Sequence, residues 1–183
     1  MSEVSLTVAN AAQMRALGRA LSAELRAGDL VILSGGLGAG KTTLTQGIGD
    51  GLGVRGPVTS PTFVIARVHP PAAQAAATGQ PRPALVHADA YRLGSVLELD
   101  DLDLDTDTAA AVTVVEWGEG LAEGLAADRL EIEITASATA ISGDEEGDPD
   151  DTAADAPRTV RISTVGERWE GVKLPLLSHS DRL

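Results

Sequence analysis

The sequence predicts an α/β fold in three layers, a central mixed β-sheet with helices on both faces. Three observations carry that expectation. Leu30 to Leu33 is a continuous aliphatic run, as buried parallel strands tend to be, and the glycine-rich segment Gly35 to Gly40 follows it directly. From Lys41, Leu44, Ile48 and Leu52 recur at four-residue spacing ahead of Gly53, which is the pattern of a helix with one apolar face. Further aliphatic or alternating segments, Val112 to Val115 and Leu130 to Ile134, supply more strands for the sheet. A chain of 183 residues with 43% hydrophobic content is expected to form one domain around one core.

In chain order, Val4 to Val8 alternates apolar and polar residues as a short strand does, and Asn10 then offers a side-chain oxygen as a helix cap. Met14, Leu17, Leu21 and Leu25 form an apolar stripe at helical spacing that Gly28 is expected to end. After the central strand, glycine segment and second helix, Thr62 to Val68 and Ala84 to Val86 read as strands. The Pro- and Ala-rich segment 70–83 between them reads as a flexible insertion. Ser95 with Glu98 has capping-box spacing before a short helix, and a helix is expected through Leu121 and Leu125. Leu130 to Ile134 and Val160 to Ile162 read as a hairpin. Between them, 137–157 is small and acidic, a composition that cannot build a packed core; it is expected to be a flexible insertion, and the C-terminus a loose tail.

No run approaches the roughly 18 to 20 apolar residues that span a bilayer, and Met1 to Asn10 lacks a basic region followed by an apolar core. A cytoplasmic protein with no membrane association is expected. The chain has no cysteine, which excludes disulfides and thiolate metal sites. Lys plus Arg total 14 against 27 Asp plus Glu, a net charge of −13 that argues against capture of nucleic acid by the bulk surface.

Gly35-Gly36-Leu37-Gly38-Ala39-Gly40-Lys41-Thr42 has the Walker A pattern of a P-loop NTPase-like fold. Glycines permit positive φ and close approach, so that successive amides, those of Gly36, Leu37, Gly38, Ala39 and Gly40 among them, converge on phosphate oxygens. The following helix presents free amides and a positive dipole end. Lys41 neutralises the β and γ phosphates, Thr42 can ligate Mg²⁺, and Thr43 takes second place by its register after Lys41. Lysine occurs at Lys41 and Lys173 alone, and neither follows an asparagine, so the Asn-Lys-x-Asp guanine signature is absent and ATP is the better candidate.

A P-loop needs an acidic partner that reaches the metal, usually at the end of an apolar strand; Glu116, after Val112 to Val115, stands there. Asp89 closes the strand Leu85 to Ala88 and could position the attacking water or a metal-bound water, or merely cap a turn. Ser60-Pro61-Thr62-Phe63 follows the P-loop helix, where the hydroxyls of Ser60 and Thr62 could sense the γ phosphate, or proline could simply fix a strand entry. Of the aromatics Phe63, Tyr91, Trp117 and Trp169, the first three lie within two residues of Thr62, Asp89 or Glu116 and suggest a functional surface. Arg92 could contact phosphate or a partner, or be an ordinary surface arginine, and His87 reads as a packed strand residue rather than a base.

In order along the chain, Gly-Gly-Leu-Gly-Ala-Gly-Lys-Thr-Thr from Gly35, Ser-Pro-Thr-Phe from Ser60, His-Ala-Asp-Ala-Tyr-Arg-Leu from His87 and Val-Glu-Trp-Gly from Val115 resemble the TsaE family, formerly YjeE. This family is the P-loop ATPase of bacterial tRNA threonylcarbamoyladenosine (t6A) modification. The resemblance covers roughly Leu6 to Ile134, with a weaker echo at Glu167-Arg168-Trp169. It implies ATP with Mg²⁺, partnership with TsaB and TsaD, and tRNA engaged only indirectly through that complex. It implies metal roles for Thr42 and Glu116 and a requirement for Asp89 and Trp117 in activity. ATP hydrolysis in such proteins is thought to reset the TsaB and TsaD complex between rounds. Segments 70–83 and 137–157 are longer than the resemblance leads one to expect.

Two other functions fit a P-loop: a small-molecule or nucleoside kinase, and a nucleotide-sensing scaffold that binds without turnover. Kinases of that kind generally close an arginine-bearing lid on the transferred phosphate, and the arginines here are scattered without a clear lid segment. Single-turnover hydrolysis separates the scaffold from the ATPase.

Overall fold

A computed structural model describes residues 2–61, 64–73, 82–92, 110–136 and 156–174. Its elements are β1 (Glu3–Val8), α1 (Ala11–Ser22), β2 (Leu30–Gly35), α2 (Lys41–Leu52), β3 (Ala66–His69), β4 (Ala84–Asp89), β5 (Ala111–Glu116), β6 (Arg129–Ala136) and β7 (Arg158–Val165). Short 3-10 turns lie at Ala90–Arg92, Glu123–Leu125 and Glu167–Trp169. The strands form one seven-stranded sheet in the order β1-β7-β6-β2-β5-β4-β3. β6, β2, β5 and β4 run parallel, and β7, β1 and β3 are antiparallel to their neighbours, so the sheet is mixed as expected.

Alternation along the strands divides the core. Val31, Leu33, Leu85, Val112, Val114, Leu130, Ile132 and Ile134 point to the face covered by α1 and α2. Leu30, Ile32, Val86, Ala88 and Val115 point to the other, where Leu121, Ala122 and Leu125 from the segment holding a 3-10 turn cover them. Leu44 and Ile48 of α2 are fully buried, and truncating either to alanine is expected to cost roughly 2 to 5 kcal/mol. The two helices approach at backbone distance: a Cβ on Gly18 would run into the Leu44 carbonyl, and one on Gly47 into that of Arg15. Only glycine fits there.

Asn10 caps α1 as its sequence position suggests, its Oδ1 accepting the Gln13 N–H at 2.9 Å. Gly28 does not end that helix. α1 stops at Ser22, where Ala23 and Glu24 tighten onto Ala20 and Leu21, and Arg168 takes the Glu24 carbonyl at 2.6 Å. Leu25 still completes the apolar stripe from outside the helix. The strand expected from Thr62 starts only at Ala66, because the Pro61 carbonyl accepts the N–H groups of both Val64 and Ile65 in a turn. Thr62 and Phe63 lie outside the described residues, as do Ser95, Glu98, most of 70–83 and nearly all of 137–157. The helix expected through Leu121 and Leu125 is reduced to the turn Glu123–Leu125, in a stretch interrupted by Gly118, Gly120 and Gly124. β6 and β7 pair antiparallel over eight positions, the expected hairpin lengthened at both ends. Among the described residues no helix is long and apolar enough to cross a membrane.

For the site, one topological fact matters most. Register sets Leu33 of β2 and Asp89 of β4 each beside Glu116 of β5, so three parallel strands release the chain side by side at their C-terminal ends. In open α/β sheets that is where ligands bind.

Candidate functional site

β2 delivers the chain into the glycine-rich loop and α2 takes it up at Lys41. Gly35, Gly38 and Gly40 have φ of 139°, 72° and 109°, backbone that a side chain would strain. Gly40 at the start of α2 has no side chain and so offers no capping oxygen of its own to the first amides of the helix. Ala39 is buried against the core, whereas Leu37 at the loop tip is 96% exposed. Lys41 folds back over this loop: its Nζ donates to the Gly35 and Gly36 carbonyls, each at 2.8 Å, and lies 3.6 Å from the centroid of the Trp117 ring. Burial pushes the Lys41 ammonium below the ordinary lysine range, and the carboxylates of Glu116 and Asp89 act in the opposite direction.

Thr42, one residue on, turns its hydroxyl to β5. Its Oγ1 donates to Glu116 Oε1 at 2.9 Å and Oε2 at 3.2 Å. The Glu116 carboxylate is buried, and its Oε1 also meets His87 Nε2 at 2.7 Å. Hydroxyl and carboxylate are hard oxygen donors of the kind magnesium takes. Among the described residues no group of three His, Cys, Asp or Glu has metal-site geometry.

Asp89 is buried at the end of β4, its Oδ1 accepting the Tyr91 N–H at 2.9 Å and its own N–H bonded to the Ile65 carbonyl at 2.8 Å. Tyr91, 65% exposed, packs on Trp117 with ring centroids 5.1 Å apart. Among the described residues the non-glycine positions with positive φ are Ile65 at 68° and Trp117 at 60°. Both border the site. For a β-branched residue such as Ile65 this conformation is costly, and such outliers gather at functional sites.

Lys41, Thr42, Asp89, Tyr91, Glu116 and Trp117 therefore converge at the ends of β2, β4 and β5, although Asp89 and Glu116 lie some 27 residues apart. Thr43 is half-buried in the first turn of α2 and Arg92 exposed at the end of the turn after β4. Ser60 is exposed before the buried Pro61, and Thr62 lies outside the described residues. His87 reads from sequence as a packing residue, yet it is bonded to Glu116. The missed signal is strand period: residues two apart share a face, so a site-facing Asp89 brings His87 to the same side.

A model of the family described as threonylcarbamoyl adenosine biosynthesis protein TsaE matches residues 8–142. The chain is 52% identical over 166 residues to the tRNA threonylcarbamoyladenosine biosynthesis protein TsaE of Streptomyces coelicolor, covering 90% of this chain and 99% of that one. The protein of the same description from Bacillus subtilis is 31% identical over 182 residues, covering 99% and 98%. The crystal structure of Bacillus subtilis YdiB superposes with a TM-score of 0.64 at 28% identity, over 92% of this chain and 90% of that one.

Proposed function

The chain belongs to the TsaE family of tRNA threonylcarbamoyladenosine biosynthesis proteins, and from that premise we propose that it binds ATP with magnesium and hydrolyses it in company with TsaB and TsaD. One observation carries the reading: a buried lysine rests on the carbonyls of its own glycine loop, one residue from a hydroxyl bonded to a strand-end carboxylate. An ammonium so placed, pushed toward neutrality by burial, gains from any anion that arrives, and the uncapped start of α2 favours the same charge. The donors fit a triphosphate with a hard cation, since hydroxyl, one carboxylate and phosphate oxygens make an oxygen-only set.

In this reading Lys41 leaves the Gly35 and Gly36 carbonyls to meet phosphate, and Trp117 keeps water from its other side. Thr42 and Glu116 would hold magnesium, which supplies neutralisation of the phosphate charge. Asp89, fixed by the Tyr91 amide, is suited to orient the attacking water. Tyr91, with 65% of its surface exposed, offers TsaD or TsaB an apolar contact beside the site, with exposed Arg92 next to it and exposed Ser60 ahead of Pro61 as further contacts; tRNA is then reached through the complex. A chain with net charge −13 is suited to that indirect role.

The test is ATP hydrolysis by the purified chain, alone and with TsaB plus TsaD. Slow turnover alone that rises in the assembled complex is expected, together with ATP-dependent retention on TsaB or TsaD. Binding without single-turnover hydrolysis in the complex would leave only a nucleotide-sensing role, and phosphate transfer to a small metabolite would indicate a kinase.

A further inference from the structure

We propose that His87 is the positioning residue for Glu116, holding the carboxylate so that it presents oxygen to the Thr42 hydroxyl and to the cation expected there. This rests on the magnesium-ATP reading above.

The geometry forms a three-part chain across three elements. His87 on β4 touches Glu116 on β5 at 2.7 Å, and Glu116 receives the hydroxyl of Thr42 at the head of α2 at 2.9 Å. A carboxylate oxygen can only accept, so the hydrogen of the imidazole belongs on Nε2, and Nδ1 is left bare. The environment agrees: Nδ1 of His87 is buried and has no hydrogen-bond partner among the described residues. An N–H left buried without an acceptor would be the costlier arrangement. The ring therefore commits its one donor to Glu116.

Rigidity follows from burial. The His87 side chain is 0% exposed and that of Glu116 4%, so bulk water does not compete for this bond while the ring is in place. Register supplies the rest, because His87 and Val114 are partners on neighbouring parallel strands, two residues before the Asp89 and Glu116 pair. The imidazole thus reaches Glu116 from the neighbouring strand β4, while Thr42 reaches it from α2. With Oε1 tied to His87, the carboxylate cannot turn freely about its end when Thr42 transfers its hydroxyl to another partner. Residues that orient metal-binding carboxylates in this way typically contribute 10- to 100-fold to metal affinity, about the loss expected here.

The experiment is calorimetric titration of ATP into the full chain, once with excess EDTA and once with saturating magnesium; the ratio of the two affinities reads the magnesium gain. Glutamine extends an amide N–H to about the reach of imidazole Nε2, whereas leucine keeps bulk without a donor. His87→Leu is expected to lose about 10-fold or more of the magnesium gain with unchanged affinity in EDTA. His87→Gln is expected to restore most of it. Should His87→Leu fail to fold, His87→Asn, whose amide is too short to reach, replaces it. An undiminished gain in the leucine variant, an equal loss in EDTA and in magnesium, or a glutamine variant no better than leucine would each overturn the role of His87 alone. A parental chain with no magnesium gain would overturn the reading beneath it as well.

Discussion

Two buried charge clusters in this molecule use the same parts to opposite ends. At the opposite end of β2 from the glycine loop, Arg168 is 15% exposed and pairs with both oxygens of the buried Asp29, at 3.2 and 2.9 Å. Its Nη2 also donates to the Glu24 carbonyl at 2.6 Å, and its guanidinium lies 4.3 Å from the centroid of the Trp169 ring. Lys41 likewise sits by a tryptophan, but its ammonium is given to two carbonyls of its own loop while Glu116 is held by Thr42 and His87. In the first cluster cation and anion satisfy one another; in the second they are held apart, Lys41 on two carbonyls and Glu116 on Thr42 and His87. The first ties the end of α1 to the segment after β7. The second keeps a charge in waiting, an arrangement that the proposed phosphate ligand would complete.

The largest expected effect separates the two clusters outright. Lys41→Ala should reduce ATP hydrolysis in the TsaB and TsaD assembly by about 100-fold or more, the scale of losing one preorganised charge, with the melting temperature at neutral pH equal to or above the parental value. Arg168→Ala should do the converse. It strands Asp29 and lowers stability by about 3 kcal/mol in urea unfolding, while ATP affinity of the folded fraction stays at the parental value. A destabilised Lys41→Ala chain would erase the distinction.

Trp117→Leu sharpens the comparison within the site. Removal of the ring from the Lys41 ammonium should cost about 1 kcal/mol of stability in the nucleotide-free chain, read by thermal unfolding. The smallest effect is on pH dependence. Burial lowers the Lys41 pKa in the folded chain, so between that value and the unfolded one the unfolded chain binds more protons, and stability rises with pH through this alkaline window. Lys41→Met, which cannot titrate, should be more stable than the parent below the window, and its advantage should shrink as pH rises. An advantage that grows with pH would contradict a depressed Lys41.

Much of this arrangement is legible in the sequence wherever local chemistry decides it. The aliphatic run before Gly35 and the four-residue spacing after Lys41 locate β2, the loop and α2, and Val112 to Val115 places Glu116 at a strand end. What escaped depends on contacts distant along the chain. α1 stops at Ser22 with Arg168 on the Glu24 carbonyl, 144 residues away, although the apolar stripe itself runs on to Leu25. The turn at Val64 and Ile65 forms where Pro61 accepts two amides and Ile65 takes φ of 68°, which no propensity favours. His87 reads as packing because its partner lies on the next strand, and the parallel register of β4 with β5 is what brings the two together.

Calorimetric titration of ATP and magnesium into the parental chain and into Lys41→Ala tests the waiting charge most directly. Saturable heat with one site in the parent and none in the variant is the expected result. No heat in the parent, or the same isotherm in both, would contradict it.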